Sequence, residues 1–128
     1  MRAIPELANE IAALYYDTVP KEQRNGKCQI TISTSFFVPK PFTPFQWATM
    51  LDPSDYLARA KIVNDHVKEQ LNHKSIRYNW HEADVTVLEG ILARGDRKIS
   101  KAILYVYEHG EFFDAWSEFF HYDLWLEA

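Results

Sequence analysis

Three prolines in one short run, Val38-Pro39-Lys40-Pro41-Phe42-Thr43-Pro44, exclude both helix and central strand over that stretch. Each proline removes a backbone donor and pushes the residue before it toward extended conformations. Regular elements must therefore end before Val38 and restart after Pro44. On the near side, Gln29, Thr31, Ser33 and Ser35 alternate with Cys28, Ile30, Ile32, Thr34 and Phe36, the period of two that marks a β-strand. One of its faces is apolar and the other is a row of short polar side chains. Such a face either meets water at the surface of a sheet or lines the ligand cavity of an α/β barrel.

Helical spacing governs most of the remainder. Ile4, Leu7, Ala8, Ile11, Leu14 and Tyr15 recur with that spacing and predict an amphipathic helix from about Pro5 to Asp17, its polar side carrying Glu6, Asn9 and Glu10. Residues 21–27 form a polar connection. Asp52-Pro53 is an N-cap followed by proline at the first helical position, opening a stripe of Tyr56, Ala60, Val63, Val67 and Leu71. A short strand follows at Ser75 to Trp80. Thr86-Val87-Leu88-Glu89 has the form of a capping box and predicts a helix from Val87 to Arg94. Gly95 ends it, Asp96 caps the next helix, and Gly110 closes that one. Helix-strand-helix order favours parallel pairing. The expected fold class is α/β, mixed and helix-rich, with one main strand, one short strand and about four to five helices.

Composition bounds the function. Apolar residues are 47% and charged ones 25% of a 128-residue chain, the balance of a folded globular domain. A net charge of −4 supplies no basic field for phosphates, so no nucleic-acid partner is expected. Cys28 is the single cysteine, which excludes an intramolecular disulfide, a four-thiolate zinc site and an iron–sulfur cluster held by this chain alone. No apolar run reaches membrane-spanning length and the first residues are not a secretory signal, so no membrane partner and a cytoplasmic location are expected.

Several side chains could carry chemistry. His66 and His73 share a predicted helix face with Glu69 between them, but their separation of seven differs from the usual helical zinc pair at four. His81 follows a strand and precedes a helix, where barrel active sites place their residues. Arg94 and Arg97 flank a helix stop and cap and are free to meet an anion. Lys40, held between two prolines, could reach an anionic ligand. Cys28 has no base near it in sequence to activate it.

Read together, the segments resemble something specific. Thr34-Ser35-Phe36-Phe37-Val38-Pro39-Lys40-Pro41-Phe42-Thr43-Pro44-Phe45-Gln46-Trp47 resembles the last barrel strand and following loop of radical S-adenosylmethionine proteins. The similarity is to the uncharacterised group in which the radical domain follows a cobalamin-binding-like region. Trp80-His81, Leu88-Glu89-Gly90, Ala93-Arg94-Gly95-Asp96-Arg97, Phe113-Asp114-Ala115-Trp116 and Asp123-Leu124-Trp125 agree with it in order. The three-cysteine C-x-x-x-C-x-x-C motif of the family is absent.

The resemblance implies the C-terminal part of a partial (β/α) barrel. Residues 1–80 would hold the last barrel helix and strand units, and 81–128 a helical C-terminal extension. The parent would bind a [4Fe–4S] cluster and S-adenosylmethionine, with cobalamin left open, and release a 5′-deoxyadenosyl radical; this chain would hold no cofactor and be inactive alone. Its partner would be the rest of the parent chain, or a second copy of itself. Thr31, Ser33, Ser35 and Lys40 would face the S-adenosylmethionine cavity, and His81 and Arg94 the substrate. Two other classes stand beside this one. An interaction module would dock through the aromatic tail after Glu111, and a histidine-based metal hydrolase would need His66, His73 or His81 to converge with carboxylates.

Overall fold

A computed structural model, describing residues 1–112, 114, 116 and 118–128, divides the chain into two compact units. The first is 1–35 with 55–80, and the second is 36–54 with 81–128. The proline segment therefore belongs with the later helices.

In the first unit, α1 (Ala3–Thr18), β1 (Ile30–Thr34), α2 (Pro53–Glu69) and β2 (Ile76–Trp80) follow in order. β1 and β2 pair in parallel, with Ile30 opposite Ile76 and Thr34 opposite Trp80. Parallel strands need a long crossover, which α2 supplies. The strands are of equal length, five residues each, where the sequence predicts a longer first strand. The alternation of β1 is as expected: Ile30, Ile32 and Thr34 are half-buried and Thr31 and Ser33 exposed. Ile30, Ile32 and Tyr78 pack against a core of Ala8, Val67 and Ile76, and Thr34 Oγ1 and Tyr78 OH hydrogen-bond across the sheet at 2.9 Å.

α1 turns a different face inward from the one its apolar spacing suggests. Pro5, Ala8 and Ala12 are buried, whereas Leu7 and Leu14 are 59% and 62% exposed, and Ile4 and Ile11 are exposed as well. Polar anchors set this rotation. Asn9 Oδ1 accepts from the Asn72 backbone N–H at 3.0 Å and from Asn72 Nδ2 at 3.1 Å. Tyr16 OH accepts the Cys28 backbone N–H at 3.1 Å and shares a 3.0 Å bond with Ser75 Oγ. Arg24 closes the end of the helix, donating to Tyr16 O at 2.6 Å and Val19 O at 2.8 Å while its guanidinium lies over the Tyr16 ring. Of the α2 stripe, Tyr56, Ala60, Val63 and Val67 are buried as expected, but Leu71, beyond the helix, is exposed.

In the second unit, α3 (Ala83–Arg94), α4 (Ile99–Glu108) and α5 (Tyr122–Glu127) gather around Leu88, Val106 and Trp125. The predicted capping box is not formed. α3 starts a turn earlier, and Thr86 is buried inside it with Oγ1 donating to Glu82 O at 2.9 Å. Asp96 does cap a turn, its Oδ1 accepting the Lys98 N–H at 2.7 Å, and α4 begins just after it. Gly110 closes α4 at φ +95°. Its N–H donates to Tyr107 O and that of Glu111 to Val106 O, a Schellman pattern that needs the left-handed conformation glycine adopts without strain. Along the proline segment Pro39 is buried and Met50 lies directly on α3 at Gly90, while Phe42, Phe45 and Trp47 are exposed.

Candidate functional site

The chemistry the structure gathers most tightly lies where α4 ends. The Schellman turn sets Glu111 directly after α4 and directs it inward. Its side chain is 2% exposed, and both carboxylate oxygens are claimed by one residue. The His121 backbone N–H donates to Oε1 at 2.7 Å and the His121 imidazole Nδ1 to Oε2 at 2.7 Å. Burial pushes the Glu111 pKa up, but the His121 backbone and imidazole, with Asp114, more than offset this, and the carboxyl ends below its ordinary value. Asp114 behaves oppositely. Burial, then the neighbouring Glu111 carboxylate, raise its pKa, against smaller lowering by Trp125 and His121. A carboxyl whose pKa is raised beside one whose pKa is lowered is the kind of pairing that separates acid from base in a proton-transfer site.

Beside Glu111 an open cavity of about 680 Å³ is lined by Asp84, His109, His121, Tyr122, Asp123 and Glu127, among others. Burial and the charges of Asp84, Asp52 and Asp123 raise the Tyr122 phenol. Four of the residues that line the cavity, Asp84, Glu111, Asp123 and Glu127, are acidic.

The residues singled out in the sequence are distributed over both units. Thr31, Ser33 and Ser35 are exposed on one face of β1 and its continuation in the first unit. Lys40, His81 and Arg94 are exposed in the second, where Lys40 pairs with Glu89. His66 is held by Glu69 at 2.8 Å and Glu6 at 3.4 Å, and the His73 Nδ1 by Gln70 O at 3.0 Å. Among the described residues, no three His, Cys, Asp or Glu side chains gather as a metal site requires. Cys28 is half-buried at the start of β1. Phe113 and Ala115 of the tail motif lie outside the described residues.

Sequence reasoning missed Glu111 and His121. The available signal was a carboxylate directly after a helix-closing glycine inside an aromatic-rich segment, a position that turns a side chain back toward the helix it follows. No protein-family model, no curated protein and no solved structure matches the chain. Among the described residues, no helix is long and apolar enough to cross a membrane.

Proposed function

We propose that the chain forms the C-terminal part of a cytoplasmic radical S-adenosylmethionine enzyme, with α1, β1, α2 and β2 as helix and strand units of a partial (β/α) barrel and residues 81–128 as its helical extension. The observation that carries this reading is the parallel β1–α2–β2 unit whose first strand shows a row of hydroxyls on its exposed face. A parallel pair is the building block of a barrel, and in a complete barrel each outer edge pairs with a further strand.

A [4Fe–4S] cluster needs three cysteinates and this chain has Cys28 alone. These residues do not fit the cluster, and no step through it is assigned to them. The hydroxyl face does suit S-adenosylmethionine, which when bound supplies the radical chemistry. Thr31, Ser33 and Ser35 would hydrogen-bond its ribose and carboxylate oxygens. Within the second unit, Lys40, His81 and Arg94 are exposed and would be available to anionic or substrate groups.

The test is the reading frame upstream of Met1 and its product. A frame encoding C-x-x-x-C-x-x-C, whose protein gains thiolate-to-iron absorbance on anaerobic reconstitution and loses S-adenosylmethionine affinity on Ser33→Ala, supports the reading. A frame without those cysteines overturns it. A second reading, an interaction module, draws support from Phe112, Trp116 and Phe119, all more than half exposed in the tail.

A further inference from the structure

Trp125 is 7% exposed, yet its indole Nε1 has no hydrogen-bond partner, and Asp114 Oδ1 is likewise buried and unpaired. Unmatched buried polar atoms are rare in folded proteins, and each calls for a partner. The indole is among the groups that favour the charged Asp114 carboxyl, so donor and acceptor are near neighbours that do not close a direct bond. Both residues line a cavity of about 320 Å³ in the second unit whose other walls include Leu92, Ile103, Val106, Tyr107 and Phe112. Val106 is buried while Leu92, Ile103, Tyr107 and Phe112 are exposed, so an apolar opening leads to a polar interior. Glu111 also borders the cavity, but its two oxygens already accept from His121.

We propose that this cavity binds a small uncharged molecule with an apolar body and one hydroxyl or carboxamide group, which accepts the Trp125 N–H and donates to Asp114 Oδ1. The polar requirement follows from the pair: only a group that both accepts and donates satisfies the two atoms at once. The apolar requirement follows from the walls, and the volume is at the lower end of small-molecule sites. The two carboxyl groups exclude an anion, and a cation, which carries donors only, would leave the Trp125 N–H unmatched. This site is independent of the radical-enzyme reading.

The experiment is a titration of the 128-residue chain with p-cresol, benzamide and toluene, following the indole N–H resonances by ¹⁵N NMR. The Trp125 signal is identified as the one missing from Trp125→Phe. The expected result is a saturable shift of that resonance with p-cresol and benzamide, at least about tenfold tighter than with toluene, the factor contributed by even one of the two added hydrogen bonds. Leu92→Glu, an exposed position that leaves the core intact, abolishes the shift while preserving the rest of the spectrum. No saturable shift with either polar probe, equal binding of toluene, or wild-type binding by Leu92→Glu overturns the proposal.

Discussion

At the scale of single residues, the network around Glu111 ties charge to folding. The folded-state pKa of Glu111 is lowered, so its contribution to stability is present above the ordinary value of 4.5 and is lost as pH falls from there through the folded value. Asp114 has the opposite sign. Its pKa is raised, so the cost of its burial is absent at low pH and sets in as pH rises from 3.8 through the folded value. Chemical denaturation across pH checks both. Glu111→Gln is less stable than the parent at neutral pH and converges with it below 4.5, whereas Asp114→Asn is more stable at neutral pH and loses that gain below 3.8. Neither shift was legible in the sequence. The two acids are separated by aromatic positions, Glu111 falls in no motif, and their coupling arises only because the turn after Gly110 sends Glu111 back toward His121.

At the scale of elements, punctuation was legible and orientation was not. Pro53 opens α2 and Gly110 closes α4 where their chemistry requires, while Asp96, expected to cap α4, instead caps the turn before it, because such ends are decided by the few residues that form them. The inward face of α1 is a different matter. Its larger apolar side chains sit on the outside and its alanines on the inside, since close approach to the sheet and the bonds of Asn9 and Tyr16 outweigh the burial of Leu7 and Leu14. Substitutions separate the two faces. Ala12, with no exposed surface, replaced by leucine overpacks the contact and costs about 1–3 kcal/mol. Leu7→Gln changes stability by less than about 0.5 kcal/mol, as expected for a surface position. Urea denaturation measures both, and equal costs would mean that the sequence's apolar stripe, not the alanine face, is the buried one. The capping box at Thr86 failed for a related reason. Once the buried contacts of Ala83 extend α3 by a turn, Thr86 lies inside the helix and its hydroxyl bonds backward to Glu82.

At the scale of the whole molecule, a parallel strand pair, an exposed Ile4–Leu7–Ile11–Leu14 stripe and the exposed Phe42, Phe45 and Trp47 are surfaces that favour association with another chain. Concentration-dependent self-association is expected by light scattering, weakened by Leu7→Lys and Ile11→Glu without loss of helical signal. A monomer at all concentrations would count against the proposed barrel edge. The sequence by itself determined the mixed α/β class, the alternation of β1, the break at the prolines and the main helix stops, because each depends on local sterics or on a period of two or 3.6 residues. Only the tertiary structure decided the register of the parallel β1–β2 pair, that α1 packs on its alanines, that residues 36–54 join the second unit, and that Glu111, Asp114, His121 and Trp125 meet. Those outcomes depend on which distant surfaces fit closely and satisfy each other's polar groups, and no local pattern encodes that choice.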